Sequence, residues 1–336
     1  CMRATEIAVL SCLNKKSIQE MEEQLNYGRT LFEGLTISEN YFLSTVSKLE
    51  DYLSKNAVKL ITYWDEGYPE ALKNISDPPV SLFIKGNAEY LSYGLFAVVG
   101  TRKMTNYGKQ VTEMFTKEIS KHFVVVSGMA YGVDSVAHTT CIKEGRPTIA
   151  VLGCGVDYVY PKSNEALYKK ILENGCVVSE YLPWDSPKKY TFVARNRIIS
   201  GLSQGILVTE AGMESGALIT ARFGIEQGKD VFAIPGDIFK STSKGTNELI
   251  KNGAYLVSDP SEILEYYGFK EHRKMIELSE DEKAILQVLE SSSTQDVESI
   301  AIALSKPLSE LLVLITVMEL KGLIYKSEDG SYKKAI

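Results

Sequence analysis

The stretch that decides the fold is LFAVVGTR (95–102), followed by KMTNYGKQVTEMFTKEISKH (103–122) and FVVVSGMAYGVD (123–134). It begins with five apolar residues and a glycine. An amphipathic stretch follows, with Val111, Met114, Phe115 and Ile119 on one helical face, and a second apolar run closes the unit. This is strand, helix, strand. The unit repeats: apolar runs begin near Leu95, Phe123, Thr148, Cys176, Gly205, Asp230 and Tyr255, 25–29 residues apart. The runs are almost unbroken in Val, Ile and Leu, as strands covered on both faces require. The spacing predicts an α/β fold built on a doubly wound parallel sheet.

Working outward, residues 1–57 read as short helices, with Ile7, Leu10 and Leu13 on one face and Phe42, Val46 and Leu49 on another. A strand is expected at Val58–Tyr63, and Asp77-Pro78-Pro79 breaks the chain after it. Beyond residue 276 the pattern changes. Ser279–Glu290, Thr294–Leu304 and Pro307–Lys321 are helical, and Ser279 with Glu282 is a capping-box pair. Leu323–Lys326 and Ser331–Lys334 flank Glu328-Asp329-Gly330, a hairpin signal. Three helices and a hairpin outline a winged helix over 277–336. Its last helix has few basic residues and carries Glu310 and Glu319, which argues against its reading a major groove alone.

Composition excludes several function classes. The 336 residues are 44% hydrophobic and 24% charged, enough for a sizeable core. No apolar run reaches the ~20 residues of a membrane span, and Cys1-Met2-Arg3-Ala4 is no signal-peptide start. A cytoplasmic protein is expected, with no membrane partner. The cysteines at 1, 12, 141, 154 and 176 are scattered, and the three histidines lack ligand spacing, so neither a disulfide framework nor a metal site is expected. The net charge of −6 is unevenly spread: −4 over 1–94, +1 over 95–268, +2 over 269–276 and −5 over 277–336. A nucleic-acid site would therefore be a local pocket in the middle of the chain, not a broad basic face.

Ligands of an open parallel sheet bind at the carboxyl ends of its strands. Those ends are rich in anion-binding chemistry. The first gives Gly100, Thr101 and Arg102: a close backbone approach, a hydroxyl and a bidentate fork. The second gives Ser127 and Gly128 ahead of Gly132 and a helix start, where free amides can face an anion. The third runs through Gly153-Cys154-Gly155 to Tyr158, Tyr160, Lys162 and Asn164. The fourth leads to Phe192, Arg195, Asn196 and Arg197, and the fifth to Ser215, Gly216 and Thr220. The sixth ends in Pro235-Gly236-Asp237. Tyr158 or Tyr160 either stacks on a base or packs as a core aromatic, and His138 either touches the groove or packs in its helix.

No dinucleotide fingerprint is complete, because Tyr158 stands where a third glycine belongs, and no GxxxxGK[ST] loop exists. No nucleotide cofactor is expected. Ser-His-Asp sets and paired carboxylates are absent. Glu180, Glu210 and Glu214 are the candidates for acid–base work, and capping or orienting the arginines is the favoured role for them.

Taken in order, GTR (100–102), SGMAYGVD (127–134) with Ala137-His138, Gly153–Asn164 including YPK (160–162), Ser179-Glu180, FVARNRII (192–199), Glu210-Ala211 with SGALITA (215–221), and IPG (234–236) resemble the DNA-processing protein A (DprA/Smf) family. The match spans about residues 58–268. The resemblance implies an extended Rossmann-like core without a nucleotide cofactor, and no catalysis. It also implies a role in natural transformation and recombination: such proteins bind incoming single-stranded DNA, protect it, help load the recombinase RecA, and commonly act as dimers. The family's phosphate contacts would fall on Arg102, Ser127, Gly128 and Lys162, with Asn164, Arg195 and Ser215 as further contributors. Residues 1–57 would be a sterile-alpha-motif-like domain, and 277–336 the family's winged helix. The competing reading is a nucleotide-processing phosphoribohydrolase using Glu210. Its PGGxGTxxE pattern is absent, and Thr209–Gly216 stands near that place.

Overall fold

The computed structural model describes residues 3–26, 36–269, 278–291, 295–327 and 330–335. The first two residues, the basic stretch 270–277, Thr294 and the Glu328-Asp329 part of the expected turn lie outside the described residues. The chain divides into two units, Cys1–Glu271 and His272–Ile336.

In chain order, the first unit comprises α1 (Ala4–Asn14), α2 (Ile18–Asn26), α3 (Glu39–Lys55), β1 (Val58–Thr62), α4 (Glu70–Lys73), β2 (Ser81–Gly86), β3 (Leu95–Val99), α5 (Asn106–Ile119), β4 (Val124–Ser127), α6 (Val133–Lys143), β5 (Thr148–Val151) and α7 (Glu165–Glu173). It continues with β6 (Gly175–Ser179), α8 (Lys189–Leu202), β7 (Gly205–Val208), α9 (Gly216–Glu226), β8 (Asp230–Ala233), α10 (Lys244–Lys251), β9 (Tyr255–Leu256) and α11 (Pro260–Tyr266). The strands form one sheet in the order β1-β2-β6-β5-β4-β3-β7-β8-β9. From β6 to β9 every pairing is parallel, as expected, with Ala97 beside Val126 and Val99 beside Val208. The β1–β2 pair adds an antiparallel edge against β6.

Both faces are covered, and alternate residues serve each. Leu95, Ala97, Val99, Val126 and Val208 join one apolar cluster, to which α8 contributes Ile198 and Ile199. Phe96, Val98, Val125 and Leu207 face the other side, against Phe115 and Ile119 of α5. The buried face of α5 is Thr112, Phe115, Thr116 and Ile119; Met114, expected inside, is exposed. The N-terminal helices do not form a core of their own. Ile7 to Leu10, Phe42, Val46 and Leu49 pack in one cluster with Ala150, Leu152 and Val177 of the sheet layer. The expected boundary at residue 57 therefore lies within one packed body.

The second unit comprises α12 (Glu280–Ser291), α13 (Val297–Leu304), α14 (Leu308–Leu320), β10 (Ile324–Lys326) and β11 (Tyr332–Lys334). Its strands pair antiparallel, and Ile285, Ile300, Leu311, Ile315, Met318, Ile324 and Tyr332 form its core. The Ser279–Glu282 capping box is formed: the Ser279 amide donates to Glu282 Oε2 (2.8 Å) and the Glu282 amide to Ser279 Oγ (3.2 Å). The outward face of α14 is largely apolar, with Leu312, Val313, Val317 and Leu320 exposed beside Glu310 and Thr316. It offers no cation to a phosphate. Among the described residues no single helix is long and apolar enough to cross a membrane.

Candidate nucleic-acid interface

After β3 the chain moves outward to β4, and after β7 it moves the other way to β8, although β3 and β7 are neighbours. Connections leaving adjacent strands in opposite directions open a crevice at their carboxyl ends. A cleft of about 800 Å³ lies there. Its walls are the loop after β3, the first turns of α8, and the loop from Gly212 into α9.

Glycines let these loops close together. A Cβ on Gly100 would lie 2.5 Å from Val133 Cγ2 and 2.9 Å from Glu210 O. Gly132, at φ +76°, passes where a Cβ would meet Thr101 O at 2.3 Å. The Thr101 amide donates to Glu210 O (2.7 Å), and the Val133 amide to Thr101 O (3.2 Å). Arg102 is left at the mouth, exposed, with its guanidinium carbon 5.6 Å from the centre of the Phe192 ring. It forms no ion pair with any described residue.

Arg195 lies at the floor and is only 3% exposed. Its Nη1 donates to Gly128 O (2.8 Å) and to Val151 O, and its Nε to Asn196 Oδ1 (3.1 Å). The Nη2 amino group makes no hydrogen bond to a described residue. No carboxylate of a described residue comes within ion-pair distance. Burial pushes the guanidinium below its ordinary range, and the Asp134 carboxylate offsets only part of that. Asp134 is itself held above the usual carboxylate range by burial, against the pull of Arg195 and of backbone donors. Asn196 donates to Gly216 O (3.3 Å) and so joins α8 to the start of α9. Ser215 caps α9, accepting from the Ala217 amide (3.3 Å). Gly216 is exposed and Thr220 buried, and both line the cleft, so the positive end of the α9 dipole faces it. Lys103, Lys189 and Lys244 also line it, with Glu214 and Asp134 as the acidic members. The cleft is thus net cationic in a chain of net charge −6.

The loop after β4 differs from expectation. Ser127 is buried and donates to Val98 O (2.7 Å), and the Gly128 amide donates to Asp134 Oδ2 (3.2 Å). Neither is an open anion donor. Buried donors must be satisfied, and here the chain satisfies them itself. Three carbonyls of the loop are also taken: Gly128 O by Arg195, Met129 O by Asn164 Nδ2 (3.0 Å), and Ala130 O by Ser135 Oγ (2.5 Å). Met129 is held at φ +61° between the first two of these clamps. Asn164 also donates to Ser135 Oγ (2.9 Å), so it is a tether of this loop.

Tyr160 is half exposed and stands 5.1 Å from Phe192, ring centre to ring centre. Lys162 is exposed two residues later, within ~7 Å of chain. Phe192 therefore has Arg102 and Tyr160 as neighbours, while neither Tyr160 nor Lys162 is among the residues that line the cleft.

Arg197 does not join the cleft. Its guanidinium forms a bidentate pair with Glu180 (2.7 Å for each bond) and reaches Asp77 (3.0 Å). Burial opposes its charge, but Glu180 and Asp77 outweigh that and raise it. Arg197→Met is expected to destabilise the fold by about 3 kcal/mol, because Glu180 loses its bidentate partner. Single-strand affinity of the folded variant should be unchanged. Thermal melting with an oligonucleotide titration checks both, and a drop in affinity would return Arg197 to the site.

Two of the three candidate acid–base residues, Glu210 and Glu180, are occupied elsewhere, while Glu214 is exposed and lines the cleft. Glu210 is buried and accepts from the Thr105 amide (2.8 Å) and hydroxyl (2.7 Å) at the start of α5. It caps a helix, and Glu180 orients Arg197. His138 is buried against Thr148 (2.7 Å), and burial pushes its imidazole down to about 3, so it packs in its helix. Among the described residues no cluster could hold a metal ion.

The family model of DNA recombination-mediator protein A matches residues 59–268. The DNA processing protein DprA of Streptococcus pneumoniae is 38% identical over 264 residues, covering 75% of this chain and 94% of that protein. An X-ray structure of DprA from Streptococcus pneumoniae matches 81% of this chain and 99% of its own, with a TM-score of 0.70 and 37% identity. A structure of DNA processing protein A from Helicobacter pylori, described for its single-stranded DNA binding mode, matches 64% of this chain and 97% of its own, with a TM-score of 0.58 and 31% identity.

Proposed function

The chain belongs to the DNA recombination-mediator protein A family, and from that premise we propose that its switch-point cleft binds single-stranded DNA for DNA processing in transformation and recombination. The carrying observation is Arg195: a buried guanidinium with no paired carboxylate, at the floor of a cationic cleft. A buried charge is costly until an opposite charge meets it, and a phosphate supplies both that charge and bidentate acceptors. Arg102 at the mouth and the α9 N-terminus, with the exposed Lys162 beyond them, would take neighbouring phosphates. Such contacts bind without regard to sequence. A flexible single strand can press one phosphate onto the cleft floor, whereas a duplex with a persistence length of ~50 nm cannot fold into it.

The protein does no chemistry on the strand in this reading. The occupied carboxylate of Glu210 favours it over glycosidic hydrolysis. The finer proposals are that the protein works in the cytoplasm as a homodimer, shields the strand, and hands it to RecA. The second unit would be a winged-helix-like accessory, and the outward face of α14, which carries Glu310 and no cation, favours a partner other than a phosphate backbone.

The test is an anisotropy titration of labelled single- and double-stranded oligonucleotides at two salt concentrations. Single strands should bind at least tenfold tighter, with affinity falling as salt rises. Equal affinity for duplex would defeat the cleft reading. Free base released with turnover from nucleoside monophosphates, and lost in Glu210→Gln, would favour the hydrolase.

A further inference from the structure

The loop after β8 presents Ile238 and Phe239 to solvent, 72% and 89% exposed. This tip is braced. The Gly236 amide donates to Asn247 Oδ1 (3.1 Å), and Asn247 Nδ2 donates back to Gly236 O (3.0 Å). Asp237 Oδ1 accepts from the Phe239 amide (2.9 Å), and the Lys240 amide closes the turn on Asp237 O (3.1 Å). Tyr107 fixes the root of the loop through Pro235 O (2.7 Å). Two large apolar side chains are thus held out into water on a fixed turn, a conformation a collapsing loop would avoid.

Their position is informative. The chain runs from Phe239 through Lys240 directly into Ser241 and Thr242, which line the cleft, and Lys244 lines it one turn later. Phe239 is two residues from that wall, at most ~7 Å along the chain. Phe192 of α8 also lines the cleft, with the Arg102 guanidinium over its ring and Tyr160, from the loop after β5, as its other ring contact. An aromatic beside a cation thus occurs twice. A path of phosphate-binding cations flanked by exposed rings is how sequence-tolerant proteins hold single strands.

We propose that Phe239 is a base-stacking platform for the strand where it leaves the cleft, with Lys240 set beside the backbone. The proposal rests on the reading of the cleft as a single-strand site and extends the site to a loop outside it. Every base has a π-face, so the platform takes any base. Its contribution is independent of salt, unlike that of the cleft.

Phe239→Ala and Phe239→Trp in the full chain test it, titrated with oligothymidylate and with a fully abasic oligomer of the same length. Phe239→Ala should weaken oligothymidylate binding roughly tenfold and leave abasic binding and the salt slope as they were. Phe239→Trp should restore affinity, with fluorescence quenched by oligothymidylate and not by the abasic strand. A Phe239→Ala variant that binds oligothymidylate like the parent overturns the platform alone. If that variant also loses mass in solution, the tip is a contact between copies instead. A parent chain that binds neither oligomer overturns the cleft reading and this proposal with it.

Discussion

Charge reversal at Arg102 is expected to weaken single-strand binding about a hundredfold while leaving the melting temperature unchanged. The side chain is exposed and lies over the Phe192 face, with no ion pair to a described residue. Folding therefore gains little from it. Binding gains much more, since a hydrogen bond to a charged group contributes ~1.5–3 kcal/mol, and a carboxylate at the mouth adds repulsion. The salt dependence separates this from a general disturbance. Losing one phosphate contact should lower the log–log slope for a single strand by ~0.7, and reversal by about twice that. Arg102→Lys should recover only part of the affinity, because an ammonium keeps the charge but not the fork. Anisotropy titrations at three salt concentrations read all of this. If Arg102→Glu keeps the parent's affinity and slope, Arg102 does not contact phosphate and the mouth is misassigned.

The central sheet was legible because a strand buried on both faces has to be apolar throughout, and seven such runs at regular spacing have few other solutions. Each observed strand start lies within one residue of the apolar run that marked it. The strand β2 was not legible. It follows the Pro78-Pro79 break, and its antiparallel place beside β6 depends on a partner about ninety residues away. The N-terminal helices show why periodicity stops short: a 3.6-residue stripe says that a face is buried, not what covers it, and here the cover is the sheet layer.

The site was legible loop by loop but not atom by atom. Ser127 and Gly128 have the composition of an anion nest, and Asp134, six residues on, fills it. A one-dimensional pattern cannot distinguish a nest open to a ligand from one closed by its own chain. Arg195 and Arg197 are a different case. Residues two apart on a helix do not share a face, so helical geometry alone could have separated the cleft arginine from the one paired with Glu180. The same geometry places Lys189, Phe192, Arg195, Asn196 and Ile199 along one stripe of α8, and all five line the cleft. Lys103 follows directly on Arg102, while Lys244 had no such signal, because an irregular loop brings it to the cleft wall.

Replacing Arg195 by methionine should abolish tight single-strand binding, a loss of at least a hundredfold, and yet shift stability by no more than ~2 kcal/mol. Two opposed effects set the second number. Methionine leaves Gly128 O and Val151 O without their side-chain donor, at ~1–3 kcal/mol for each orphaned group, moderated because a carbonyl tolerates under-satisfaction better than an amide does. Against this, the variant no longer buries a cation that has no ion-pair partner, which costs several kcal/mol even after relaxation. Burial lowers the Arg195 guanidinium below its ordinary range, and Asp134 offsets only part of that in the free protein. Stability held back at a binding site is a familiar exchange for function. Saturating oligothymidylate, at a hundred times the dissociation constant, should stabilise the parent by ~2.7 kcal/mol and the variant by almost nothing. Melting curves with and without the oligomer decide the matter, at ~2–4 °C per kcal/mol for a unit of this size. A variant that melts more than ~10 °C below the parent, or that keeps the ligand-induced rise, would make Arg195 a structural clamp of the Gly128 loop and remove the floor from the proposed site.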